Sequence, residues 1–338
     1  MPWKGEKDPY RIWLSEIILQ QTRVEQGTAY YKKFISRYPT VFELASAPEQ
    51  DIFKCWEGLG YYTRCRNLIL TAKKLAFDLS GVFPSAYSDI LALPGVGPYT
   101  AAAIASFAFG LPHAVVDGNV ERVLARYFGV STPVGSATGK KFYSELAQSL
   151  LDKKNPANYN QAIMDFGATV CKPQNPLCTA CIQATHCEAY QHAWTHLLPV
   201  KIQPAQRKTR WLYYYIISDG RGKVWIRERV IKDIWQHLYE FVLWETGQLI
   251  PQADLDSNAF ITEKMGQHDF QILHVSPVFS QTLTHQFIKG CFVHVKPNKL
   301  LGKLAGYQSV PVERLNEFPF PKMISLYIKN LPATDHLW

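Results

Sequence analysis

No stretch of this 338-residue chain stays apolar for long enough to cross a bilayer. The longest apolar run, residues 101–116, is broken by Gly110 and Pro112. The opening MPWKGEKDPY lacks the apolar segment of a secretory leader. A cytoplasmic location is therefore expected, and structural disulfides are not, despite seven cysteines. No segment repeats and no tract is of low complexity, which argues against solenoid and disordered classes. No alternating strand pattern is present before residue 200, so the first half reads as helical. Negative charge is in deficit: 28 Asp and Glu stand against 36 Lys and Arg, a formal net charge of +8 with a pI near 9.0. That balance points to a polyanionic partner, with nucleic acid the first choice. What is present in quantity is core material. Hydrophobic residues make up 47% and charged residues 19%, and the length suits two ordinary domains.

The stretch LPGVGPYTAAAIASFAFGLPHAVVDGNVERV, residues 93–123, organises the rest. Gly95 and Gly97 in Pro94-Gly95-Val96-Gly97-Pro98 are expected to allow positive φ, and Pro98 pre-sets the first turn of a helix over 99–109. Small side chains on that helix permit close packing. The N–H groups at its start offer a seat for an anion such as a phosphate. Gly110-Leu111-Pro112 stops the helix, and Val115-Val116 delivers Asp117 just ahead of another helix over 118–127. Asp117 has two readings at this point, an N-cap or a working carboxylate.

Upstream, Asp8-Pro9 opens a long helical pattern, RIWLSEIILQQTRVEQ. Leu14, Ile17 and Ile18 share one face, and Ile12, Glu16, Leu19 and Gln20 form the adjacent stripe. A carboxylate on so apolar a helix is either a partly exposed ion-pair partner or, if buried, a group of raised pKa suited to general acid work. Gly58-Leu59-Gly60-Tyr61-Tyr62-Thr63-Arg64 is a Gly-rich turn whose aromatics could stack on bases or simply pack between helices. Residues 136–170 read as two more helices, the second carrying Asn160 and Gln161.

Cys171, Cys178, Cys181 and Cys187 follow at the spacing C-x6-C-x2-C-x5-C. Four thiols in so short a loop imply a metal site, and zinc held by four cysteines is one reading. Most zinc modules pair two C-x2-C knuckles, and here there is one. Cys55, Cys65 and Cys291 read as small hydrophobes. PVKIQPAQRKTR, residues 199–210, reads as a linker. Beyond it, 211–217 and 223–227 read as strands joined by a turn at Asp219-Gly220. Further strands are expected near 270–279 and 286–295, and helices over 311–318 and 321–331. The second domain is therefore α+β.

Taken in order, SEIILQQT, GLGYYTR, LPGVGPYTA, VDGNVERV and the four-cysteine loop resemble the adenine DNA glycosylases of the MutY type, within the endonuclease III superfamily. The resemblance spans almost the whole chain. It implies an all-α helix-hairpin-helix glycosylase domain over 1–198, with 87–91 as the first hairpin helix and a 4Fe-4S loop at 171–187. It further implies an α+β Nudix-like domain over 211–338. The implied activity is removal of adenine mispaired with 8-oxoguanine or guanine, after base flipping, by a monomer bound to double-stranded DNA. Glu16 matches the acid that protonates the leaving adenine, and Asp117 the carboxylate that faces the oxocarbenium-like sugar. Asn119 would orient Asp117 or the sugar. Gln20, Gln21, Thr22 and Tyr61 match residues that fill the base stack or meet the opposite base, and Gln161 lies where the family places a Glu or Gln beside the flipped adenine. Tyr99 stands where strand-nicking relatives have a Lys, and a phenol cannot form a Schiff base, so a monofunctional enzyme is implied.

The chain departs from the family pattern in two places. Lys4 of Met1-Pro2-Trp3-Lys4 replaces an Arg, in a segment that family members usually precede with a further helix. The loop that probes oxidised guanine, Phe-Ser-His in the family, reads Leu283-Thr284-His285. The region 239–247 also lacks the carboxylate cluster that pyrophosphate hydrolysis would need, so that domain is expected to bind rather than cleave. Two rivals remain: an oxidised-pyrimidine glycosylase with lyase activity, and a non-catalytic 4Fe-4S protein that senses redox state on DNA.

Overall fold

The computed structural model describes residues 4–202, 206–219, 221–256, 259–265, 270–298 and 302–331. The expectations placed on Met1, Pro2, Trp3 and Gly220 fall outside these residues. The chain forms two compact units, Met1–Ala47 with Arg66–Pro204, and Pro48–Cys65 with Ala205–Trp338. Among the described residues no helix is long and apolar enough to cross a membrane.

The first unit is helical. α1 (Pro9–Leu19) starts at Asp8, whose side chain accepts from the Tyr10 N–H at 2.9 Å. It buries Trp13, Leu14, Ile17 and Ile18. α2 (Val24–Arg37) and α3 (Val41–Ser46) follow, the latter opened by a reciprocal Thr40–Glu43 capping box. Two elements, α4 (Glu49–Trp56) and the start of α5 (Tyr62–Lys73), belong to the second unit. The hairpin pair is α6 (Tyr87–Leu91), where the family resemblance implied a helix, and α7 (Pro98–Phe109), where the sequence pattern put one. α7 buries Ala101 through Ser106 and packs on α1; its alanines let the two backbones approach closely. Gly110, at φ 66°, caps it in the left-handed conformation. α8 (Gly118–Tyr127), α9 (Ala137–Leu150), α10 (Pro156–Thr169) and the short α11 (Glu188–Gln191) complete the unit.

The helix pattern over 11–26 is interrupted. α1 ends at Leu19, Gln21 sits at φ 55°, and α2 starts at Val24. Gln20 instead turns its side-chain amide to the Thr100 hydroxyl at 3.0 Å, a tertiary bond made where the helix stops even though Gln and Arg are good helix formers. Gly97 also departs from expectation. Its φ is −91°, so only Gly95, at 72°, uses the left-handed region; a Cβ at Gly95 would lie 2.5 Å from that of Asn67.

The second unit is α+β. β1 (Lys208–Ile217) runs parallel to β7 (Gln286–Pro297) and antiparallel to β4 (Val242–Thr246), and β7 also pairs with β5 (Phe270–Val275) and β6 (Phe279–Thr282). Gly290 is obligatory in this pairing, because a Cβ there would meet the Leu212 carbonyl at 2.0 Å. β2 (Lys223–Glu228) does not continue as a hairpin with β1. Beyond a single bridge, Ser218 to Val224, it enters a second sheet between β3 (Tyr239–Glu240) and β8 (Gln308–Pro311). Tyr213, Tyr215, Ile217, Trp225, Val242, Val293 and Val295 fill a core completed by α12 (Gln252–Asp256) and α13 (Ala259–Met265). Of the two late helices, residues 312–317 form a 3-10 turn, and α14 (Lys322–Asn330) is a true α-helix.

Candidate active site

A cavity of about 690 Å³ in the first unit gathers Glu16, Gln20, Gln21, Thr22, Gly97, Tyr99, Asp117, Asn119 and Gln161. They arrive on five pieces of the helical frame. α1 brings Glu16, and the break after Leu19 brings Gln20 to Thr22. The N-terminus of α7 brings Gly97 and Tyr99, and that of α8 brings Asp117 and Asn119. Gln161 comes from α10. Gly97 caps α7 without a side-chain partner, which leaves the turn's N–H groups for a ligand.

Glu16 is buried, and loss of hydration raises its carboxyl to about 7. A hydrogen bond donated by the Tyr99 hydroxyl works against this rise, while the charge of Asp117 adds to it. The Tyr99 phenol is itself pushed well up by burial and by the two carboxylates, so it stays a neutral donor. Asp117 is both the N-cap and a wall of the cavity. Its Oδ1 accepts the N–H groups of Asn119 and Val120, each at 2.8 Å, and its Oδ2 accepts the Asn119 amide at 2.7 Å. The cavity therefore holds one carboxyl that keeps its proton near neutrality and one carboxylate at the positive end of a helix. The segment feeding Asp117 is pinned by buried Asn160, whose Oδ1 accepts the Val115 N–H at 3.0 Å and whose Nδ2 donates to the Ser106 hydroxyl and the His113 carbonyl, each at 2.9 Å.

Sequence reasoning missed three side chains here. Arg122 donates to the carbonyls of Cys171 and Gly167 and to Asn119 Oδ1, at 2.8, 2.7 and 2.9 Å. Arg126 donates to the carbonyls of Leu198, Lys172 and Pro173 and approaches Cys171 Sγ at 3.5 Å. Asp165 accepts from Gln161 Nε2 at 3.0 Å and pairs with Lys4 at 2.6 Å. Helical spacing was the available signal: Arg122 is three residues from Asn119, Arg126 four from Arg122, and Asp165 four from Gln161.

Cys171, Cys178, Cys181 and Cys187 line a separate cavity of about 410 Å³, with Arg126 and apolar groups such as Leu124, Phe166 and Ile182 also in its wall. Burial, and after it the other three cysteines, raise the Cys178 thiol. Among the described residues, no three His, Cys, Asp or Glu side chains are arranged to hold a single metal ion. A set of four soft thiolates beside the Arg126 guanidinium does fit an iron–sulfur cluster in donor type and charge.

Tyr61 is not in the first cavity. It belongs to the second unit, at φ 49°, with its ring over the Arg64 guanidinium and its hydroxyl 2.6 Å from that of Thr284. Thr284 and His285 are exposed in the turn between β6 and β7, and Arg207 donates to the Thr284 carbonyl at 3.2 Å. The carboxylates of 239–247 are engaged elsewhere. Glu240 is buried against Arg229 and Arg227, and Glu245 pairs with Arg210 at 2.6 Å.

A helix-hairpin-helix pair beside a cavity that holds Glu16 and Asp117 is the arrangement expected of a DNA glycosylase. Residues 14–148 match the model of the HhH-GPD superfamily of base excision DNA repair proteins. The chain is 36% identical over 255 residues to the adenine DNA glycosylase of Buchnera aphidicola subsp. Baizongia pistaciae, covering 75% of this chain and 71% of that one. It is 42% identical over 200 residues to the human adenine DNA glycosylase, 56% of this chain and 37% of that one. The solved structure of a thermostable thymine-DNA glycosylase overlays 57% of this chain and 88% of its own, with a TM-score of 0.52 at 33% identity. The chain belongs to the adenine DNA glycosylase family.

Proposed function

We propose that the chain excises adenine from mispairs with 8-oxoguanine or guanine in double-stranded DNA and leaves the abasic strand intact. The observation that carries this is Glu16, a buried carboxyl raised to about 7, in one cavity with Asp117. Departure of a neutral adenine requires a proton on the base, and a buried acid can supply it near neutral pH. The sugar left behind becomes cationic, and Asp117 is the carboxylate to face it. Asn119 holds both Asp117 oxygens, Oδ1 through its backbone N–H and Oδ2 through its side-chain amide, so the sugar would meet a fixed carboxylate. Tyr99 offers no amine for a Schiff base, which supports hydrolysis without nicking. The base must leave the stack to reach this cavity.

Gly95 and Gly97 would seat a backbone phosphate at the start of α7. Gln20, Gln21 and Thr22 would fill the space of the flipped base, with Tyr61 stacking in the duplex from the second unit. Thr284 and His285 would read the C8 carbonyl and N7–H that distinguish oxidised guanine. Because Glu240 and Glu245 are held by arginines, binding rather than hydrolysis is the role of that Nudix-like unit. Cys171, Cys178, Cys181 and Cys187 would hold a 4Fe-4S cluster, which when bound ties the loop into one piece.

The test is a single-turnover assay on duplexes with adenine opposite 8-oxoguanine or guanine, with and without borohydride. Alkali-labile product without trapping supports the reading. Efficient trapping and nicking refutes the monofunctional part, and no base release refutes the whole.

A further inference from the structure

The contacts of Asp165 settle a point of polarity that the cavity's shape leaves open. Gln161 and Asp165 are four residues apart on α10 and both line the cavity that holds Glu16 and Asp117. An amide can present either its oxygen or its nitrogen to a ligand, and the two ends have nearly the same shape. Here Gln161 Nε2 donates to Asp165 Oδ1 at 3.0 Å, while Asp165 Oδ2 takes the Lys4 ammonium at 2.6 Å. A carboxylate bonded to an ammonium only accepts, so turning the amide over would set two acceptors against each other. The amide oxygen is thereby left as the group available to an entering base.

We propose that Asp165 is a specificity-setting positioning residue: it locks the Gln161 amide with its oxygen toward the cavity and so selects purines that present an amino group there. The inference rests on the cavity being the base pocket. Asp165 touches no reacting atom and acts through Gln161. Lys4 stands on its far side, so the short ammonium stem is enough to complete the chain Lys4–Asp165–Gln161. The side chains of Lys4 and Asp165 are each 37% exposed. Water competes at that pair, so the expected selectivity is that of one mismatched hydrogen bond, about tenfold, rather than a larger factor.

The experiment uses the full chain and paired duplexes in which the excised base is adenine or hypoxanthine, its analogue with a carbonyl in place of the 6-amino group, opposite the same partner. Single-turnover rates give an adenine-to-hypoxanthine ratio for each variant, and the intrinsic leaving ability of the two bases cancels when variants are compared. Asp165→Asn lets the Gln161 amide turn over, and the ratio should fall about tenfold. Asp165→Glu keeps an acceptor-only partner and should keep most of the ratio. Thermal melting reports whether each variant folds; if Asp165→Asn does not, Gln161→Leu decides, and its ratio should also fall. An unchanged ratio in a folded Asp165→Asn protein, or an equal loss for both bases, overturns the inference while leaving the pocket reading intact. A wild-type protein that releases neither base overturns the pocket reading, and this inference with it.

Discussion

Burial of Glu16 has a measurable cost in stability, which the proposed role as general acid requires. In the unfolded chain this carboxyl releases its proton near 4.5; in the folded chain it holds it to about 7. Between those values the folded state carries a proton that the unfolded state has lost. Stability therefore declines as pH rises through this window and levels off above it. At about 1.4 kcal/mol per pKa unit, the full decline is roughly 3 kcal/mol, a large part of the net stability of an ordinary domain. Glu16→Gln keeps the shape and removes the titration. The difference in unfolding free energy between variant and wild type should therefore widen, in favour of the variant, by roughly 3 kcal/mol between about pH 4 and about pH 8.5. Urea unfolding of both proteins at the two pH values measures it. The wild-type rate of adenine release should fall above this window, about tenfold per pH unit beyond about 7, while the variant is inactive throughout. A widening below about 1 kcal/mol would mean that Glu16 is hydrated and ionised in the folded chain, and the assignment of the acid would fail.

Three further outcomes follow from neighbouring contacts. Tyr99→Phe removes a hydrogen bond that favours ionised Glu16, so the alkaline limb of the pH–rate profile should move to higher pH; movement to lower pH would contradict the geometry. Arg122→Met strips donors from the carbonyls of Cys171 and Gly167 and from Asn119, and should cost about 3 kcal/mol in denaturant unfolding and slow base release. Thr284→Ala with His285→Ala should reduce the ratio of rates for adenine opposite 8-oxoguanine and opposite guanine. Unaltered discrimination would assign damage reading to the first unit.

The elements that the sequence revealed are those whose signals are local. A Gly-x-Gly-Pro turn, an alanine-rich helix and a Gly-Leu-Pro stop lie within thirty-odd residues, and α7 and α8 occupy the places they indicate. The α+β character of the second unit was legible from aromatic and β-branched runs such as WLYYYII. What was hidden is non-local. Nothing in QQTR announces that Gln20 will bond Thr100, eighty positions on, and so break the helix. Nothing in the turn at Asp219 tells that β2 leaves the sheet of β1, because both strands have similar composition. The grouping of Pro48–Cys65 with residues beyond 204 likewise depends on partners such as Phe318, whose carbonyl accepts from Lys54 at 3.0 Å. Asp165 and Arg122 were visible as letters at helical spacing, yet a polar residue at that spacing is ordinarily a solvated face.

One helix explains why the cavity and the cysteine loop belong to a single construction. The N-terminus of α8 is capped by Asp117, which leaves that carboxylate where the helix end is most positive. Its second and third turns carry Arg122 and Arg126, both buried, and neither has a carboxylate among the partners described above; their charge is spread over backbone carbonyls from 118 to 198. Arg122 is the hinge of the arrangement, since one of its nitrogens serves Asn119 Oδ1 and another the Cys171 carbonyl. Holding that oxygen forces the Asn119 amide nitrogen onto Asp117, so the direction of the Asp117 carboxylate is set through a bond whose far end lies in the cysteine loop. A loop of residues 171–187 that came apart would release the Cys171 carbonyl, strand a buried guanidinium, and free Asn119 to turn. The loop is too polar and too short of apolar side chains to fold on its own hydrophobic content, so the cluster proposed for its four thiols would, if bound, bear on the geometry of a carboxylate that none of them touches.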